Sequence, residues 1–251
     1  RHVGLLLALA VLKFCGGSIG VAGDVKANTP PGASPFFINL ADYAKGDGTD
    51  ETDAIQRAVD ALPKAGGKYM GGQLYVPRPP VAYCISKTIN VVDKWNSAII
   101  CETPVWGSRG LRAEHYFRWI GPDNDIMFNF NKCKGMRIEN LSLNGMDYKG
   151  QDRMIEASRE WESLLTPLGR HTRGVTGILL GPENRQVGFQ NDMIFDQLAI
   201  SDVAVGIKLG DWPSSGPDIT RLLFHACQVM HFSHVGIWAR SGNLANVTFQ
   251  S

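Results

Sequence analysis

Along the second half of the chain, apolar and polar positions alternate in very short runs that return at a nearly constant interval. Gly177-Ile178-Leu179-Leu180, Gly206-Ile207-Lys208-Leu209 and Gly236-Ile237-Trp238-Ala239 start 29 and then 30 residues apart. A second phrase runs beside the first: an apolar residue, a two-residue gap, then an alternating apolar pair. It reads Ile138-x-x-Leu141-x-Leu143, Phe195-x-x-Leu198-x-Ile200, Phe224-x-x-Cys227-x-Val229 and Leu244-x-x-Val247-x-Phe249, and Phe195 to Phe224 is again 29 residues. A fixed period of this size marks one supersecondary unit stacked on copies of itself. Period-two runs broken by turns make each unit a coil of strands rather than a pair of helices. The pattern therefore predicts an all-β chain wound as a parallel β-helix.

One segment departs from this alternation. Ala54, Ile55, Ala58, Val59 and Leu62 fall on a single helical face, suited to plugging the open end of a solenoid. Thr49, Asp50 or Thr52 is expected to cap that helix, and Asp50, Glu51 and Asp53 load its first turn with negative charge. The acids from Asp47 to Asp53 also resemble a calcium loop, but helix capping accounts for them better. Short strands are expected at 37–40, 73–77 and 83–86. Further apolar runs follow at 97–101, 117–120 and 127–130. Residues 148–173 are charged and break the repeat; they read as an insertion, with a short helix over 153–165, that walls a cleft.

Asp42-Tyr43-Ala44-Lys45-Gly46-Asp47-Gly48-Thr49-Asp50-Glu51-Thr52-Asp53-Ala54-Ile55-Gln56, followed by Gly72-Gln73-Leu74-Tyr75-Val76-Pro77, resembles the amino-terminal signature of the pectate lyase–like superfamily. Polygalacturonases, rhamnogalacturonases, exo-β-1,3-glucanases and phage tailspikes share it. The resemblance implies a right-handed parallel β-helix with a short amino-terminal capping α-helix. It does not imply one reaction, because hydrolases, lyases and adhesins carry the same signature.

At the amino end, Arg1-His2 precedes an apolar run from Val3 to Leu12 and a small-residue stretch, Gly16 to Ala22. A basic start, an apolar core of about ten residues and a small-residue exit match a secretory signal. The organisation expected is a signal peptide over 1–27, a Pro- and Gly-rich linker over 28–37, and a solenoid domain over 38–251. The chain starts with Arg and stops inside a repeat, which reads as a fragment cut at both ends. The expected location is secreted, extracellular or periplasmic. The apolar run is shorter than the roughly 20 residues of a membrane span. A formal charge of +1 argues against nucleic acid as a partner. Cys84, Cys101, Cys133 and Cys227 follow no framework spacing, and Cys227 occupies an inward slot. No cysteine or histidine cluster points to zinc. No cofactor is expected, save calcium if the chain is a lyase.

Equivalent positions on consecutive coils become neighbours about 4.8 Å apart, so the repeat can be read as a map. Asp202 falls two places after Ile200 and His231 two after Val229, one rung apart, with Ser233 and His234 just beyond. A second file holds Glu139, Asp196 and His225, each directly after an inward apolar residue. Carboxylates stacked on histidines form a general acid/base set, and Asp202, His231, His234 and Asp196 are the catalytic candidates. As turn residues, all of them also serve to cap backbone amides or sit in solvent. Trp212, in what reads as a loop, is a sugar-stacking candidate, with Trp238 and Lys208 beside it in the repeat. Asn140 and Asn246 fall in one repeat slot and are expected in the left-handed conformation.

Polygalacturonases carry an Asn-x-Asp, an Asp-Asp pair, a Gly-His-Gly and an Arg-x-Lys on successive coils. The stretch from Ser201-Asp202 to Lys208 resembles their Asp-Asp coil, and Ser233-His234-Val235-Gly236-Ile237 is similar to their Gly-His-Gly coil. However, Val203-Ala204 stands where the acid pair belongs, and no Arg-x-Lys follows. The expected function is cleavage of glycosidic bonds in a pectin-like or glucan polysaccharide, hydrolase ahead of lyase, by a monomer or trimer. The rival is a non-catalytic polysaccharide-binding or adhesion solenoid of tailspike type.

Overall fold

The computed structural model describes residues 36–66, 71–102, 116–145, 174–181, 189–212, 218–230, 232, 234–241 and 243–250. The described strands form three sheets of eight, six and five members. Every pairing among the described strands is parallel. The chain visits the sheets in turn. Arg137–Glu139 lies in the first sheet, Ser142–Asn144 in the second and Thr176–Leu180 in the third. Phe189–Asp196, Ala199–Ser201 and Val205–Trp212 repeat the circuit, as do Asp218–His225, Gln228–Met230 and Val235–Ser241. Asn243–Gln250 then returns to the first sheet. Parallel neighbours need a long crossover, and here the other two sheets supply it. Three parallel sheets visited in this order are compatible with a parallel β-solenoid.

The core runs along the axis between the sheets, filled by the alternate side chains that point inward from each strand. Its last rungs are aromatic. Phe195 stacks on Phe224 at 4.9 Å between ring centroids, and Phe224 on Phe249 at 4.9 Å. Phe130 meets Phe195 edge-on at 5.8 Å. The three glycines of the first repeat phrase stand in a single file. A β-carbon on Gly177 would lie 2.8 Å from the Gly206 carbonyl, and one on Gly206 would lie 2.4 Å from the Gly236 carbonyl. Only glycine fits positions where neighbouring backbones approach this closely.

The direction of the chain changes at single residues with positive φ. Asp192, Arg221 and Asn246 mark one bend in the first-sheet strands, at φ of 58°, 54° and 55°. Asn140, Gln197 and Ala226 mark the next bend, at 57°, 55° and 50°. Both bends are flanked by inward residues, so both carry the same apolar-x-x-apolar-x-apolar phrase. This corrects the fourth repeat expected from the sequence. Leu244 pairs with Ile219 rather than with Phe224, and Phe249 pairs with Phe224, which makes the last circuit 25 residues. Asn140 and Asn246 are both left-handed, as expected, but they belong to different bends.

The helix spans Thr52–Ala61 and buries Ile55, Ala58 and Val59. Its cap position is Glu51, not one of the three expected residues, and the Glu51 side chain does not cap the helix. Instead its carboxylate accepts from the backbone amides of Lys45 and Gly46. Asp50, one residue earlier, accepts from the Thr52 amide at 3.1 Å and hydroxyl at 2.6 Å, and from the Ser86 hydroxyl at 2.5 Å. Asp47 accepts from the amide and hydroxyl of Thr49. The acidic run is thus spent on turn and helix amides. At the far end, the ammonium of Lys94 donates to the carbonyls of Leu62 and, at 3.1 Å, Asp60. The first sheet already includes Phe37; the expected signal over 1–27, residues 28–35 of the linker and the insertion at 148–173 lie outside the described residues. Among the described residues no helix is long and apolar enough to cross a membrane.

Candidate functional site

The register that stacks the coils also assembles a chemical cluster on the outer face of the first sheet. Glu139 pairs with Asp196, and Asp196 with His225, as one file through three successive rungs. Each follows an inward residue, Ile138, Phe195 or Phe224, and therefore points outward from the pleat. The Asp196 carboxylate accepts from His225 Nδ1 at 2.9 Å. Arg137, two residues before Glu139 on the same face, pairs with the Glu139 carboxylate, and its Nη2 lies 3.8 Å from Asp196 Oδ2. One guanidinium thus serves two carboxylates on adjacent rungs and offsets their mutual repulsion. The acid side chains are 20% and 21% exposed and the imidazole 43%, so all three are open to solvent.

The chemistry open to this arrangement follows from the pairings. A carboxylate can only accept, so the His225–Asp196 bond places the imidazole proton on Nδ1 and leaves Nε2 to exchange protons with a substrate. Glu139 supplies a second carboxylate about one rung away. The thiol of Cys227 is turned inward and donates to the carbonyls of Phe195 and His225, 3.4 and 3.3 Å away. Burial pushes this thiol up to about 11, so it takes no part as a thiolate. All four described cysteines are unbridged.

The candidate catalytic set divides between two places. Asp196 belongs to the first-sheet cluster. Asp202 sits at a left-handed bend leaving the second sheet, with φ of 56°. It is 8% exposed. Its Oδ2 accepts from Asn144 Nδ2 at 3.1 Å and from the Ser201 hydroxyl at 2.9 Å. That geometry ties Asp202 to the side chains of Asn144 and Ser201 at the corner. His234 is exposed, and its amide donates to the Ala204 carbonyl at 3.0 Å. His231 lies outside the described residues. Glu139 and His225, in the file weighed second from the sequence, are the residues that join Asp196.

The sugar-stacking candidates lie on the third sheet. Leu179, Lys208 and Trp238 are register partners in one file. The ammonium of Lys208 stands over the Trp238 ring, 5.6 Å from its centroid. Trp212 is not in a loop: its backbone ends the strand Val205–Trp212 and pairs with Ser241 beyond a register shift. A separate groove of about 580 Å³ lies between the cap helix and the third sheet, lined by Asp53, Gln56, Asp60, Lys87, Asn90 and Asp125 among others. Its polar groups are largely engaged with one another: Lys87 with Asp53, and Gln56 with Asp60 and the Asn90 backbone. Among the described residues no three His, Cys, Asp or Glu side chains group as a metal site.

No family model matches the chain, and no curated protein matches it. Among the solved structures similar to this chain are two of low identity. One is ORF18 of Geobacillus virus E2, at 17% identity and a TM-score of 0.48, covering 85% of this chain and 41% of that one. The other is a "putative glycosyl hydrolase" from Parabacteroides merdae ATCC 43184, at 16% identity and a TM-score of 0.27, covering 85% of this chain and 93% of that one. The chain thus spans about two fifths of the viral protein's length.

Proposed function

We propose that the chain is an exported right-handed parallel β-helix of the pectate lyase–like type that cleaves glycosidic bonds of a polysaccharide, by hydrolysis ahead of elimination. The observation that carries this reading is the file Glu139–Asp196–His225, with Asp196 bonded to the imidazole at 2.9 Å. In this reading Asp196 stabilises the imidazolium form of His225, whose Nε2–H protonates the sugar oxygen as its bond to the anomeric carbon breaks. Glu139 faces the anomeric carbon, where positive charge develops. Asp202 and His234, with His231, stand second, because the Asp202 carboxylate is already occupied by Asn144 and Ser201.

The test is a polysaccharide panel read by new reducing ends and by absorbance of unsaturated products. Asp196→Asn and His225→Ala are each expected to lower the rate at least about 100-fold, the scale of lost acid–base catalysis, while Asp202→Asn lowers stability first. Full activity in both Asp196→Asn and His225→Ala would sink this assignment. Binding to the panel without any cleavage would make the chain an adhesion solenoid instead.

A further inference from the structure

We infer that Ile194 and Leu223 form an apolar floor beside the Glu139–Asp196–His225 file and hold an uncharged sugar ring against it; the inference rests on the polysaccharide reading above. Arg137 pairs in register with Ile194, and Ile194 with Leu223. These residues stand two positions before the members of the acid file on the same strands, so the pleat turns both files to the outer face. Ile194 is 39% exposed. It has a rung on either side, so its exposure belongs to the face of the sheet and not to an end of the stack. Leu223, also flanked by a further rung, is half-buried. Directly beyond the acid file come Asn140, Gln197 and Ala226, the left-handed bend at which the chain leaves the sheet. The acids and imidazole therefore run along the margin of the sheet. A sugar lying on the sheet face beside them rests on Ile194 and Leu223.

Branched aliphatic side chains at a surface offer methyl groups to the C–H face of a pyranose, and covering that apolar area favours binding. The neighbouring file decides which ring is accepted. A carboxylated sugar laid on the floor brings a third anion beside Glu139 and Asp196, and like charges repel. Arg137, at the head of the floor, is already shared by these two carboxylates, and His225 Nδ1 is bonded to Asp196. The other cations described on this sheet are placed elsewhere: Arg221 is paired with Asp192 through two bonds, and Lys134 stands over the Trp95 ring. An uncharged ring gains the apolar contact and meets no such repulsion.

Affinity electrophoresis in gels containing laminarin (neutral) or polygalacturonate (acidic), with reducing-end kinetics on laminarin, tests the inference. The wild-type chain should be retarded at least five-fold more strongly, in apparent affinity, by laminarin. Ile194→Ala should lose at least five-fold in that affinity and raise KM by a similar factor with kcat within two-fold, the mark of lost ground-state binding. Ile194→Leu should recover most of both. Retardation by laminarin that stays within two-fold of wild type in Ile194→Ala overturns the floor. Equal or stronger retardation of the wild type by polygalacturonate overturns the selectivity for an uncharged ring. Retardation needs no cleavage, so running Asp196→Asn alongside separates the two readings. Lost cleavage in Asp196→Asn with unchanged retardation in Ile194→Ala removes only the floor, and intact cleavage in Asp196→Asn with lost retardation in Ile194→Ala removes only the catalytic reading.

Discussion

Where a β-carbon on Gly206 would sit, the Gly236 carbonyl is 2.4 Å away and a methyl of Val229 is 2.3 Å away. The methyl can rotate aside, but the carbonyl belongs to the next rung and cannot move without separating the coils. Gly206→Ala is therefore expected to cost about 3 kcal/mol, at the upper end of overpacking penalties. A urea titration followed by circular dichroism should register the loss as a lower midpoint. This glycine was legible from the sequence because it recurs at a fixed interval. The Glu139, Asp196 and His225 file was legible for the same reason, since each follows an inward apolar residue. What the sequence could not reveal was that the Asp202 carboxylate is turned onto Asn144 and Ser201. That depends on side-chain direction at a bend, which periodicity does not encode.

The cap helix shows how an element is finished by residues remote from it. Its apolar face and acidic start are local signals, but its carboxyl end is closed by Lys94, 1% exposed and more than thirty positions along the chain. Burial, partly countered by Asp60, pushes the Lys94 ammonium down to about 8. Between that value and its ordinary 10.5, the unfolded chain holds a proton that the folded chain does not. Stability from this group therefore rises with pH across that window and is lowest below it. The span corresponds to a change on the order of 3 kcal/mol. Buried thiols and tyrosines such as Cys101 and Tyr83, pushed upward by burial, act in the opposite direction as pH rises. The measurement is accordingly a difference. Unfolding free energies of the wild type and Lys94→Met, compared at pH 7 and pH 10, should converge by that amount if Lys94 is the source. A pH-independent difference would contradict it. At the same scale, the repeat phrase misled at Leu244 because two successive bends share one spacing of inward residues. The true partner, Ile219, is 25 positions back, not 20 as the phrase implies.

For the molecule as a whole, stability is close to a sum of rungs and the interfaces between them. Phe224 contributes to two interfaces at once, stacked on Phe195 and Phe249 at 4.9 Å each. Phe224→Ala is expected to cost about 3–5 kcal/mol, as for other buried aromatic truncations. Because contacts are nearest-neighbour, hydrogen exchange should accelerate in the strands Asp218–His225 and Asn243–Gln250 and leave Gln73–Val76 slow. Uniform acceleration throughout would mean a single cooperative core instead. The connections between sheets have a different consequence. Residues 146–173 intervene between the second and third sheets, yet Glu139 still meets Asp196 and Thr176 still meets Val205. The connection between these two sheets tolerates extra chain without disturbing the ladder on either side. Exchanging that stretch for one from a different protein should therefore leave both the Glu139–Asp196 and the Thr176–Val205 pairings in place.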